Sequence, residues 1–206
     1  MKTLAVISQK GGAGKTTLAL HLAVAAEMAG KPTAVIDLDP QASATSWKDL
    51  RQAQTPAVVS AQAARLQQVL QTASEHGAAL AIIDTAPHSE SAALAAARLS
   101  DLVLIPCRPA ILDLKAIGST VDLAKLAGKE SHVVLNAVPP RGTLGEEAAS
   151  AIQGYNVPVA PVTICHRAAY MHSLTAGQTA QEYDPEGKAA EEIKRLYKWV
   201  CKQVDL

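Results

Sequence analysis

Five short apolar runs punctuate the chain: "TLAVIS" at 3–8, "TAVIDLD" at 33–39, "LAIID" at 80–84, "DLVLIP" at 101–106 and "HVVLNAV" at 132–138. None alternates strictly between apolar and polar residues, so each is predicted as a strand buried on both faces, the pattern of a parallel sheet. Between them lie segments long enough for crossover helices. The stretch 16–29 is closed by Gly30 as a C-terminal cap, and 61–75 forms a second. This alternation predicts a doubly wound α/β fold, a mostly parallel sheet flanked by helices. In such a sheet ligands bind beyond the carboxyl ends of the strands. Those ends read Gln9-Lys10-Gly11, Asp37 to Gln41, Asp84 to Pro87, Cys107 to Pro109 and Asn136, and they are expected to meet around one crevice. A final helix is predicted from about Pro185 or Glu186.

Composition narrows the classes. A chain of 206 residues, 49% of them hydrophobic, can bury one substantial core, and residues 1–206 are read as one domain. Without Phe, that core must be built from Ala, Val, Leu and Ile. Basic and acidic residues balance at 19 each, so no global charge draws the chain to nucleic acid, although a local basic patch can. Cys107, Cys165 and Cys201 are too widely spaced for a metal motif or a disulfide framework. Neither a signal peptide nor a spanning run of about 18 apolar residues occurs, and a cytoplasmic protein is expected.

The chemistry concentrates in "ISQKGGAGKTTLAL", residues 7–20. The ordinary phosphate-binding loop reads G-x-x-x-x-G-K-[ST]. Here Gln9 stands where the first glycine belongs, while Gly11, Gly12, Gly14, Lys15 and Thr16 keep the rest, and Lys10 is an additional lysine. A glycine-rich turn feeding a helix N-terminus offers backbone N–H groups and the positive end of a helix dipole to an anion. Lys15 then supplies a point charge for phosphates, and the Thr16 hydroxyl is placed for Mg²⁺. Asp84, ending "LAIID", is the expected second acid near that Mg²⁺, acting through water; alone, such an acid also fits a helix cap. Asp37 and Asp39 share a face if their strand continues, and Asp39 swings free if it breaks at Pro40. An acid in that position can orient an attacking water.

With "KGGAGKTT", "DLDPQ" and "IIDTAP" in this order, the chain resembles the deviant Walker A group of P-loop NTPases, the ParA/MinD ATPases. The segments "SDLVLIPCRPAILDLKAI" and "QEYDPEGKAAEEI" further resemble the small ParF-like plasmid partition proteins. The resemblance implies ATP/ADP and Mg²⁺ as cofactors and weak ATP hydrolysis without a partner. It also implies an ATP-dependent homodimer in which Lys10 reaches across to the partner's phosphates. Gly11, Gly12, Ala13, Gly14, Lys15, Thr16 and Thr17 become the phosphate cradle, with Thr17 on the α-phosphate. Asp39 becomes the catalytic carboxylate, Asp37 its support near the metal, and Asn136 a contact to the base, where a turn asparagine is the plainer reading.

The same resemblance implies nonspecific DNA binding on the nucleoid and a centromere-binding ParB-like adaptor that stimulates hydrolysis, with plasmid segregation as the outcome. Arg167, Lys188, Lys194, Arg195, Lys198 and Lys202 are the candidate DNA contacts, and a solvated helix face is the competing reading of that row. Ile193, Leu196, Tyr197, Val200 and Val204 form an apolar stripe, expected to dock on the sheet rather than on a MinD-like membrane. Alternative cargoes are a carboxysome or a chemoreceptor cluster. A metabolic ligase or kinase of the dethiobiotin synthetase type is the competing enzyme class, and Lys10 argues against it.

Overall fold

A computed structural model describes all 206 residues. Six strands form one parallel sheet: β1 (Lys2–Val6), β2 (Thr33–Asp37), β3 (Ala57–Ser60), β4 (Leu80–Asp84), β5 (Leu102–Cys107) and β6 (Ser131–Leu135), in the order β3-β2-β4-β1-β5-β6. The helices are α1 (Lys15–Met28), α2 (Ser43–Leu50), α3 (Leu66–Glu75), α4 (Glu90–Leu99), α5 (Ile111–Leu126), α6 (Leu144–Ile152), α7 (Ala168–Thr175), α8 (Ala180–Tyr183) and α9 (Lys188–Val204).

The unbroken apolar runs have a direct physical cause. Successive strand residues point to opposite faces, and both faces are covered. Leu4, Val6, Ile82 and Leu104 enter one core with α1 and α9, while Ala5, Ile7, Ile83 and Ile105 enter the other with α4 and α5. Because α1 and α4 leave the neighbouring strands β1 and β4 on opposite faces, the crevice at the end of β1 is a topological switch point. The doubly wound fold is as predicted, and Gly30 reverses the chain after α1 at φ +73°.

Several elements were not predicted, β3 and α2 among them. β3 is a short edge strand, AVVS, with mostly exposed side chains, and its apolar run of three residues is shorter than those of the central strands. α2 has no local capping signal, because its first turn is capped from seven and eight residues upstream: Asp37 Oδ2 accepts from the N–H groups of Ala44 and Thr45 at 3.1 and 3.3 Å. The predicted helix over 61–75 splits into a 3-10 turn, Ala63–Arg65, followed by α3. The closing helix starts at Lys188, after Gly187, and its Ile193, Leu196, Val200 and Val204 are buried in the core beside α1.

One core polar group is fixed completely. His21, fully buried on α1, accepts from the Ala180 N–H through Nε2 at 3.0 Å, so its proton sits on Nδ1 and is donated to the Thr17 carbonyl at 2.7 Å. Burial pushes this imidazole down to about 4. Its folded pKa lies below the unfolded one, so the unfolded chain binds more protons between about pH 4 and 6.5. The stabilising contribution of His21 is present above that window and declines as pH falls through it. We expect ¹⁵N NMR to show His21 neutral and Nδ1-protonated at pH 5; a doubly protonated ring there would contradict the assignment.

Candidate phosphate and metal site

The ends of β1, β2, β4, β5 and β6 converge as predicted. The loop from Gln9 to Gly14 leaves β1 and enters α1 at Lys15, with Gly12 and Gly14 at φ +71° and +94°, values that glycine adopts without strain. Three non-glycine residues also adopt left-handed backbone here: Ala42, His88 and Ala137, which follow β2, β4 and β6 at φ 50°, 57° and 52°. Strained backbone of this kind gathers where a fold holds loops for a ligand.

Sheet register places the acids. Asp37 and Asp84 are direct partners on adjacent parallel strands, both fully buried. Thr16 Oγ1 donates to Asp84 Oδ2 at 2.6 Å, closing the distance between the loop and β4. The other oxygen, Asp84 Oδ1, is buried and has no hydrogen-bond partner. Burial raises Asp84 to about 7; the Thr16 bond and Lys15 oppose this, and Asp37 and Asp39 add to it. Burial likewise pulls Lys15 below its ordinary range, and Asp84 and Asp39 partly restore it. An orphaned carboxylate oxygen beside a hydroxyl fits a hard cation such as Mg²⁺. The protein offers no cluster of three acid, His or Cys ligands, so most of the octahedral shell would come from phosphate and water.

Several of the expected site residues are held by partners within the chain. Both oxygens of Asp37 meet backbone amides: Oδ1 accepts from the Asp39 N–H at 3.0 Å and Oδ2 holds the first turn of α2. Its Oδ1 bond fixes the Asp39 backbone. Asp39 is half-exposed; its Oδ1 accepts from the Gln41 N–H at 2.9 Å. The Asn136 Nδ2 donates to the Ala13 carbonyl at 2.7 Å. Arg167 leaves the set of free basic groups, since its guanidinium pairs with Glu192 at 2.6 Å. Lys188, Lys194, Arg195, Lys198 and Lys202 remain exposed on α9. Glu192 is buried, so only Glu191 alternates with them on the exposed face.

Lys10 is half-buried on the loop and forms no ion pair within the chain. The sequence reading gave no role to Arg108. This exposed residue follows β5, and its guanidinium lies against the loop: a Cβ added at Gly12 would stand 3.3 Å from Nη2. The signal was its position at a strand end already assigned to the crevice. Cys107, beside it, is buried, and desolvation pushes its thiol up to about 12, which removes it as a nucleophile. A cavity of about 1050 Å³ adjoins the site, lined among others by Asp39, Gln41, Arg65 and Pro87.

Comparison with known proteins gives this arrangement a context. Residues 4–180 match the family described as the CobQ/CobB/MinD/ParA nucleotide binding domain. Carboxysome distribution protein A of Gloeobacter kilaueensis is 35% identical, over 99% of this chain and 94% of that protein. Its counterpart in Halothiobacillus neapolitanus is 28% identical over 94% of each. A ParA protein of Rhizobium radiobacter is 33% identical but matches only 55% of this chain and 51% of its own length. Among solved structures, the septum site-determining protein MinD of Pyrococcus horikoshii, complexed with Mg-ADP, superposes with a TM-score of 0.79 at 20% identity, covering 98% and 96% of the two chains. An ATP complex of McdA from Cyanothece gives 0.78 at 18%, covering 100% and 97%. The partition proteins expected from "SDLVLIPCRPAILDLKAI" are thus matched over part of the chain, and carboxysome distribution proteins over nearly all of it.

Proposed function

Because the chain belongs to the CobQ/CobB/MinD/ParA nucleotide-binding domain family, we propose that it is a Mg²⁺- and ATP-dependent positioning ATPase whose cargo is a carboxysome-type protein body. The observation that carries the ATPase part is the Thr16–Asp84 pair with its open, buried Oδ1, set beside Lys15 at the entrance to α1. Bound there, Mg²⁺ neutralises charge on the phosphates. The cradle of Gly11, Gly12, Ala13, Gly14, Lys15, Thr16 and Thr17 holds the nucleotide, and Asp39, kept in its turn by Asp37, orients the attacking water. Lys10, without a partner in its own chain, reaches the phosphates of a second copy in an ATP-dependent dimer.

The cargo reading rests on the 35% identity with the Gloeobacter protein across almost the whole chain. Plasmid segregation with a ParB-like adaptor is the second reading, supported by the shorter ParA match. Both place the ATP-bound dimer in the cytoplasm on nonspecific DNA, held through the exposed basic row of α9, and residues 1–206 act as one unit in either.

Retention on duplex DNA tests the shared part. The protein is expected to bind with ATP and not with ADP, with affinity falling steeply as salt rises. Lys10→Ala should abolish the ATP-dependent binding. Binding that ignores the nucleotide would remove the switch. Asp39→Ala should keep ATP binding while slowing turnover about a hundredfold; wild-type turnover would end its catalytic assignment. Cargo is separated by expressing the chain in two hosts. Restored spacing of carboxysomes in a strain without its own positioning ATPase favours the first reading, and rescue of an unstable plasmid favours the second.

A further inference from the structure

Asn136 is held from three sides. Its backbone N–H donates to the Cys107 carbonyl at 2.8 Å, its Oδ1 accepts from the Ala137 N–H at 2.9 Å, and its Nδ2 donates to the Ala13 carbonyl at 2.7 Å. The amide orientation is determined by these partners: exchanging O and N would set N–H against N–H at Ala137 and oxygen against oxygen at Ala13. The side chain also fills the space a Cβ would need at Gly14, where an added carbon collides with Nδ2.

We infer that Asn136 is a positioning residue that latches the Ala13–Gly14 peptide plane of the phosphate loop. In a trans peptide the C=O and the following N–H point in opposite directions. Holding the Ala13 carbonyl toward Asn136 therefore turns the Gly14 N–H away from it, as an anion cradle requires of its donors. Glycine at 14, at φ +94°, makes this orientation free of strain but also makes a flip of the plane cheap. A flipped plane would present a carbonyl oxygen to the phosphates. The packing that excludes a side chain at 14 thus creates conformational freedom, and the amide that does the excluding removes it. This role differs from the base contact expected of Asn136, and it rests on the nucleotide-binding reading above.

Calorimetric binding of ADP, GDP and inorganic pyrophosphate to wild type and Asn136→Ala tests the latch. The expected result is an equal weakening for ADP and pyrophosphate, about five- to tenfold for one lost hydrogen bond. The ADP:GDP preference should be unchanged. Because pyrophosphate has no base, unaltered pyrophosphate affinity in the variant overturns the inference, as does loss of the ADP:GDP preference. Asn136→Asp keeps the size and the acceptor for Ala137 but faces Ala13 with oxygen; it should weaken pyrophosphate at least as much, and serves if the alanine variant does not fold. In a cycle with Gly14→Ala, the double variant should bind no worse than Gly14→Ala alone, whereas additive losses would overturn the steric coupling. A wild-type protein that binds ADP and pyrophosphate while the variants match it sinks the latch alone. One that binds neither sinks the nucleotide reading and the latch with it.

Discussion

Lys15→Ala is expected to abolish nucleotide binding, with a loss on the order of a hundredfold or more for ATP in an equilibrium titration, as removal of charge-assisted phosphate contacts implies. The size of the effect follows from where the lysine sits. Lys15 is 6% exposed, so few solvent molecules can take over the lost charge. Asp84 and Asp39 both act on its ammonium. Removing it leaves two acids facing incoming phosphate oxygens with no cation of the cradle itself between them. Lys10 and Arg108 flank the loop at its outer surface and cannot fill that buried position. A Lys15→Arg variant should fail as well, because the planar guanidinium does not fit a space shaped for a point charge. Near-normal ATP affinity in Lys15→Ala would show that the loop does not work as a phosphate cradle.

The second large effect is a split at Asp84. Asp84→Asn should eliminate the tightening of ATP binding by Mg²⁺ while raising the melting temperature of the nucleotide-free protein at pH 8. The folded chain holds the Asp84 proton up to about pH 7, well above the ordinary carboxylate value of 3.8. Between those values the folded state binds more protons than the unfolded one, so stability falls as pH rises through the window. Above pH 7 the buried carboxylate therefore destabilises the empty protein, by an upper bound of about 4 kcal/mol. An amide removes the charge but leaves a donor in the space around Oδ1, which offsets part of the gain. Thermal melting at pH 8 and ATP titrations with and without Mg²⁺ read the two halves separately. A variant that loses stability while retaining the Mg²⁺ response would contradict both the burial argument and the metal assignment.

The difference between these two residues shows which parts of the site were legible. Lys15 belongs to a local pattern, a glycine-rich turn between a strand and a helix, in which the backbone itself builds the anion site. Its chemistry was readable because every component lies within a few positions of sequence. Asp84 was readable only as a strand-terminal acid; its open Oδ1 depends on Thr16, 68 residues away, engaging just one of its two oxygens. The surroundings of Asp37 were hidden for the same reason. The sequence brings Asp37 and Asp39 together as a pair of carboxylates, but the fold carries α2 back over Asp37, so its oxygens meet backbone amides before any ligand. Arg167 looked like a free cation because its partner, Glu192, lies 25 residues further on, buried on the inner face of α9.

Sequence alone determined the six-strand fold's five long central and flanking runs, the helix that follows the phosphate loop, and the set of strand ends that would form the crevice. These depend on periodicity and on glycine's freedom at positive φ, both written locally. Tertiary structure alone decided which acid carries an unsatisfied oxygen, which cation is held in an ion pair, that Arg108 leans on Gly12, and that Asn136 occupies the space beside Gly14. Each is a matter of which distant side chain arrives first at a polar atom. Parallel strands joined by helical crossovers set that order through their register, which no local pattern encodes.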